Sequence, residues 1–233
     1  MHGMHSPLPA ECDPSDNSGE ESGGSLSQQA YPFDRDRKGK RPIRLGGIMM
    51  RKNFGAKPFL FPQPVMIIGT YDENGKANAM NAAWGGIVGA DEIMIDLSSH
   101  KTTDNILLNK AFTVSAGDVE HMTACDYVGI VSANKEENKM EKAGFTTVRS
   151  SFVNAPIINE LPLTLECELI DVIGGSKFLG RIVNVSIDKS VLGDDGELSL
   201  EKFNPITYDT VHYGYYRLGA KVGNAFKDGN VLK

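Results

Sequence analysis

Between Ser98 and Thr103 the chain reads SSHKTT, placing four hydroxyls, a histidine and a lysine on six consecutive residues. A phosphate needs several convergent donors and a positive charge. Ser98, Thr102 and Thr103 supply hydroxyls here, Lys101 a point charge and His100 a second cation. The pattern predicts a short helix from Thr103 to Lys110, with Asp104 in its first turn. The amide groups and dipole at its start would favour an anion, and Asn105 would brace the loop. Ordinary helix capping accounts for Thr102 and Thr103 as well, without any ligand.

The preceding stretch, MNAAWGG from Met80 to Gly86, adds a second requirement. Asn78, Asn81, Ala82, Ala83, Gly85 and Gly86 leave main-chain amides within reach of a planar ligand. A flavin ring asks for such donors along its N5 and N1/C2 edges, with apolar cover on its faces. Trp84, the sole tryptophan, serves either as that cover or as a core aromatic.

The elements that must position these residues are mainly β. Residues 64–84 hold an apolar β-branched run, a turn at Asp72-Glu73-Asn74-Gly75 and a second short segment, the signature of a hairpin. Glu92 to Leu97 and Ala111 to Ala116 read as strands. Glu120 to Ile130 and Lys135 to Ala143 read as helices, the latter closed by Gly144. Leu163 to Ile173 and Phe178 to Ile187 alternate as adjacent antiparallel strands around Gly174-Gly175-Ser176, and Asp194-Asp195-Gly196 is a turn. The expected architecture is a small β-barrel of Greek-key type with inserted helices.

The 233 residues carry a net charge of −6 at a pI near 5.4, which disfavours nucleic acid and anionic membranes as partners. No apolar run approaches a bilayer span. Residues 1–48 lack hydrophobic periodicity and are expected to be a disordered leader or upstream extension. The folded domain is expected to occupy 49–233, with a natural start at Met49 or Met50. Cys12, Cys125 and Cys167 form no CxxC, so free thiols in a reducing cytoplasm are expected. His2, His5, His100, His121 and His212 show no metal-ligand spacing. GxGxxG and P-loop patterns are absent.

Six segments then run in a telling order: PVMIIGTYDENGKANAMNAAW, SSHKTTDNI, DYVGIVSANKEENKMEKAGF, APIINELPLTLECEL, FLGRIVNVSID and YYRLGAKVGNAF. From Phe54 to about Phe226 the chain thereby resembles the flavin reductase-like, FMN-binding split-barrel family, in particular its flavoredoxin branch. The resemblance implies that Asn81, Ala82, Ala83 and Trp84 line the ring and ribityl chain of FMN. It implies that Ser98, His100, Lys101, Thr102 and Thr103 hold the phosphate, with Asn105 bracing. Ser132 and Lys139 would approach the flavin from the inserted helical region, the last segment would be a closing helix, and the protein would be a homodimer. Lys177 stands where the family often has a histidine, a departure that weakens the case for efficient NADH or NADPH turnover.

Other residues have plainer readings. Cys167 is expected in the core, and Cys125 is disfavoured as a nucleophile because Asp126 would raise its pKa. The KEENKMEK run reads as a solvated helix face whose like-charge i,i+4 pairs repel, leaving Lys139 to meet a partner elsewhere. Tyr213, Tyr215 and Tyr216 suit core or dimer contacts, or stacking on flavin or nicotinamide. Glu166 and Glu168 read as structural.

Three functions follow as expectations. The first is an FMN oxidoreductase reduced by NADH or NADPH and passing electrons to free flavin or a redox protein, with no catalytic side chain because the flavin carries the chemistry. The second is a non-enzymatic, flavoredoxin-like FMN electron carrier. The third is a flavin-free binder of another phosphorylated ligand.

Overall fold

The computed structural model describes residues 52–233; the expected leader at 1–48, the Met49 or Met50 start and Cys12 lie outside them. The chain from Phe54 to Lys233 forms one unit. Its first strands are β1 (Gln63–Pro64), β2 (Met66–Tyr71), β3 (Ala77–Ala82), β4 (Gly85–Ile87) and β5 (Glu92–Asp96), followed by helix α1 (Lys101–Asn109) and β6 (Ala111–Ala116). Helices α2 (Met122–Ile130) and α3 (Lys139–Ala143) then precede β7 (Thr147–Arg149), β8 (Pro156–Ile158), β9 (Leu163–Ile173) and β10 (Lys177–Ile187). Helix α4 (Leu200–Phe203), β11 (Ile206–Asp209) and β12 (Gly214–Arg217) close the series.

The principal sheet is antiparallel, in the order β3-β2-β6-β9-β10-β5-β4. Laid flat, seven strands would separate β3 from β4 by about 29 Å. Only Ala83 and Trp84 link those two strands, a reach of about 11 Å at most. The sheet must therefore curl until its ends meet, and Ala83-Trp84 is the seam. Asp96 N–H donates to the Trp84 carbonyl at 2.8 Å and secures that seam. The fold is a split barrel, as the sequence led us to expect.

Period-two alternation in β2 sorts its side chains to two cores. Met66 and Ile68 enter the barrel interior with Ile93, Ile95, Phe112 and Phe178. Ile67, with Val65, faces an outer layer containing Cys125, Val128, Phe145 and Ile206. All six residues of β2 are buried, which explains its unbroken apolar run. Cys167 lies in the barrel core, and burial pushes its thiol up to about 12. Cys125 is likewise pushed up to about 12, by burial and then by Asp118 rather than the sequence neighbour Asp126.

The hairpin turn is held by Asp72, whose carboxylate accepts from Asn74 N–H at 2.9 Å and Lys76 N–H at 2.8 Å. The β9–β10 hairpin forms as expected, with two register shifts. Other boundaries move. Helix α1 starts at Lys101, two residues early, with His100 as its N-cap. Helix α3 starts only at Lys139, because Ser132 C=O accepts from Lys135 and Glu136 N–H and turns the chain there. Asn134 and Asn138 are poor helix formers in that stretch. The expected i,i+4 repulsions therefore do not arise; Glu136 instead pairs with Lys142 at 2.5 Å. The expected closing helix is absent: Gly214–Arg217 is β12, and regular structure returns only as a 3-10 turn at Asp228–Leu232. Among the described residues no helix is long and apolar enough to cross a membrane.

Candidate functional site

The seam opens onto a cavity of about 770 Å³, within the range of small-molecule sites. Its floor is Met80 to Trp84, continuing into Asp96, Leu97 and Ser98 of the adjoining strand end. Strand β3 stands at one end of the sheet order, so its outer main-chain groups have no strand to bond. Helix α2 contributes Asp126, Gly129 and Ile130, while Tyr208, Tyr213 and Tyr215 form the remaining wall. Trp84 is 47% exposed, which rules out the core-aromatic reading and leaves it on the cavity rim.

Polar partners fix this end. Asn81 Nδ2 donates to Cys125 C=O at 3.0 Å and to the Tyr215 hydroxyl at 3.4 Å, tying β3 to α2 and leaving the Asn81 main chain for a ligand. Helix and strand approach so closely that a Cβ at Gly129 would sit 2.9 Å from Asn81 Cβ. The Tyr215 hydroxyl donates to Asp126 at 2.7 Å, and burial, then that hydrogen bond, raise its pKa. Tyr208 and Tyr215 rings lie 6.0 Å apart. Tyr216 is exposed and lines neither cavity.

A narrower cavity of about 220 Å³ adjoins the first, sharing Met80, Asn81, Gly129 and Ile130. Asn78, His100, Lys101, Thr102, Ser132 and Lys139 also line it. Thr102 is the second residue of α1, so the start of that helix faces this space. Asn78 Nδ2 donates to Thr102 Oγ1 at 2.9 Å, leaving the Thr102 hydroxyl proton for a ligand. Asn78 Oδ1 is buried with no hydrogen-bond partner among the described residues, an acceptor waiting for a donor.

The two lysines differ. Lys101 is paired with Glu73 at 2.7 Å, and this hydrogen bond raises the lysine and lowers the carboxyl. Lys139 is 4% exposed and makes no ion pair or hydrogen bond among the described residues; burial lowers its pKa to about 8. An unpaired, partly desolvated ammonium on a cavity wall is costly, and an anionic ligand would offset that cost.

Some predicted residues stand elsewhere. Thr103 Oγ1 accepts from His100 N–H at 3.0 Å and donates to His100 C=O at 2.6 Å, so both of its functions fasten the helix start. Asn105 is buried and donates to Thr70 at 3.0 Å, a brace that lines neither cavity. Ser98 reaches His100 Nε2 at 2.8 Å from the edge of the larger cavity. Lys177 pairs with Asp96 at 3.3 Å, and Ser176, then Lys177, hold that carboxyl low. Glu166 is buried, accepting from Ser150 and Asn184, whereas Glu168 is exposed, so they form no pair. Sequence reasoning missed Asp126, Ile130 and Tyr208 at the larger cavity. The DYVGI segment and the aromatic run after Ile206 were the only signals for them.

A flavin fits these features: a small polar cavity with an unpaired cation for phosphate, an orphan acceptor for a ribityl hydroxyl, and an aromatic-walled cavity for the ring. Comparison with known proteins agrees. The flavin reductase like domain family matches residues 59–217. The structure of a flavoredoxin of Desulfovibrio vulgaris (Miyazaki F) is similar, with a TM-score of 0.74 and 34% identity over 77% of this chain and 100% of the other. A flavoredoxin from Methanosarcina acetivorans has a TM-score of 0.70 and 25% identity, over 80% and 100% of the two chains. An uncharacterised protein of Aquifex aeolicus is 26% identical over 62% of this chain and 79% of its own length.

Proposed function

The chain belongs to the flavin reductase-like domain family, and from that premise we propose that it is an FMN-dependent oxidoreductase. It takes electrons from NADH or NADPH and passes them to free flavin or a protein acceptor, working as a homodimer in the cytoplasm. The buried, unpaired thiols of Cys125 and Cys167 suit that reducing compartment.

The observation that carries this reading is Lys139, a buried cation without a counter-charge on the wall of the narrow cavity. Lys139, the Thr102 hydroxyl and the first amides of α1 would hold the phosphate, with Lys101, His100 and Ser132 around it and Ser98 bonded to His100 at the border of the larger cavity. Asn78 Oδ1 accepts from the ribityl chain. The main chain from Asn81 to Trp84 would hold the ring edge, with Tyr215, fixed by Asp126, in the cavity wall and Trp84 and Tyr213 also lining it. When bound, FMN supplies hydride acceptance and electron release singly or in pairs. The side chains bind, orient and exclude water, and none needs to move a proton for hydride transfer.

Likeness to two flavoredoxins favours a second reading, an FMN electron carrier serving a redox protein. Titration with FMN, followed by stopped-flow mixing with NADH or NADPH, tests both. Tight FMN binding with rapid bleaching at about 450 nm supports the reductase, and binding without bleaching supports the carrier. Folded protein that ignores high-micromolar FMN overturns both.

A further inference from the structure

The narrow cavity does not end at its lysine. A further polar cavity of about 540 Å³ meets it there, and Asn78, Lys101, Ala133 and Lys139 line both. The start of α1 faces the narrow side, with the Thr102 hydroxyl proton left for a ligand. Asn74, Asn134 and Asn138 line the far side. Lys139 therefore stands where a place suited to an anion joins a place with room for whatever that anion carries.

Three lysines line these two cavities, and two already have carboxylate partners. Lys76 pairs with Glu137 at 3.5 Å and Lys101 with Glu73 at 2.7 Å. Lys142, three residues beyond Lys139 on α3, pairs with Glu136 at 2.5 Å. Hydrogen bonds to these carboxylates raise the pKa of Lys101 and of Lys142, holding both as ammonium. Lys139 has no ionic or hydrogen-bonded partner among the described residues and is 4% exposed. Partial desolvation lowers its pKa to about 8. At pH 7 about one Lys139 in ten is then a free amine, against about one in three thousand for an ordinary lysine at 10.5. A free amine is a nucleophile, and this one lies beside an anion-binding helix start.

We propose that Lys139 is a site of acylation by acyl phosphates, whose phosphate docks at the start of α1 while the acyl carbon meets the amine where the cavities join. Neutral Nζ attacks the acyl carbon, the bond from that carbon to the bridging oxygen breaks, and inorganic phosphate leaves with the electron pair. Nζ gives one proton to water and remains as an amide, with nothing oxidised or reduced. The reagent thus carries its own leaving group into the anion place, so binding supplies position and selectivity together. The proposal rests on the phosphate site of the flavin reading above and adds a covalent switch to it. The amide is uncharged, so an acylated chain no longer offers Lys139 to the phosphate of FMN.

The test is to incubate the full-length, flavin-free protein with acetyl phosphate at pH 8, where about half of Lys139 is free amine, and to follow each lysine by peptide mass spectrometry. Lys139 should be acetylated at least about 10-fold faster than Lys101 or Lys142. Saturating inorganic phosphate should slow Lys139 at least about 5-fold and leave Lys142 unchanged. FMN binding should fall in proportion to the acetylated fraction. Acetylation of Lys139 no faster than that of Lys142, or unslowed by phosphate, overturns the proposal, and FMN titration of the untreated chain still decides the flavin reading by itself. Selective, phosphate-sensitive acetylation in a protein that ignores FMN upholds the site and overturns the flavin reading. A fully acetylated chain that binds FMN as tightly as the untreated one overturns the switch.

Discussion

The two ends of the cavity system are built on different principles. The narrow end is made of side chains: Lys139, Asn78 and Thr102 converge from α3, β3 and α1 with unmet polar capacity. The wide end is made of main chain and aromatic rings, and its polar side chains, Asn81, Asp126 and Tyr215, already satisfy one another. Electrostatic demand therefore resides at one end and shape at the other. A ligand with both a charge and a flat ring is the one that answers both.

The seam is where this division breaks completely. A Cβ on Gly85 would lie 2.3 Å from Met94 C=O and 3.0 Å from Ile95 Cα, backbone atoms that cannot yield as the Met66 Cε, also at 3.0 Å, could. Gly85→Ala is expected to cost about 3 kcal/mol, lowering the melting temperature by roughly 10 °C. Both ends should fail together, with FMN and riboflavin binding lost alike. Retention of wild-type stability in a thermal scan would show that the barrel does not depend on this close approach.

Lys139→Met should break one end alone. Losing a charge-assisted contact to phosphate is expected to weaken FMN about 100-fold. Riboflavin, which lacks the phosphate, should change by less than about 2-fold. The flavin-free variant should be as stable as wild type or more so, because an unpaired, partly desolvated ammonium has been removed. Equal losses for both flavins, measured by fluorescence titration, would place Lys139 away from the anion.

What was readable beforehand follows the same division. The β2–β3 hairpin, β6 and the β9–β10 pair were legible because strand alternation and Asp72 or Gly174-Gly175 turns are local signals. Hydroxyls and Lys101 marked the narrow end by residue type. Their ranking was not legible: Lys101 has Glu73 and Lys139 has no ionic or hydrogen-bonded partner among the described residues, a difference fixed by contacts distant in sequence. Asp126 and Tyr208 escaped notice because α2 and β11 reach the cavity only through tertiary packing against β3 and β1. The closing helix was implied by the family resemblance alone; the residues from Leu218 on are all exposed and offer no buried face to hold a helix.

The pH dependence sharpens the contrast. With its pKa lowered to about 8, Lys139 is charged and uncompensated below that pH in the flavin-free protein. Between there and the ordinary lysine value of 10.5, the unfolded chain binds more protons than the folded one, so stability contributed by this group rises with pH. FMN affinity should run oppositely, declining as pH rises through about 8, while riboflavin affinity stays flat. The phosphate is already dianionic well below this window, with a second pKa of about 6. An FMN curve parallel to the riboflavin curve would count against the lysine as phosphate ligand.

The smallest effects come from two adjacent threonines that sequence alone could not tell apart. Thr102 lines the narrow cavity and accepts from Asn78, keeping its proton for a ligand; Thr103 spends both hydroxyl functions on His100. Thr103→Val should therefore lower stability by about 1 kcal/mol, as for a lost helix cap, and leave FMN affinity within about 2-fold. Thr102→Val should weaken FMN by about 10- to 30-fold, the lower end of the worth of one hydrogen bond to a charged group. It should also loosen Asn78, whose amide would lose its acceptor. Paired denaturation and FMN titrations separate the two, and interchanged outcomes would mean that the helix start, not its second residue, meets the anion.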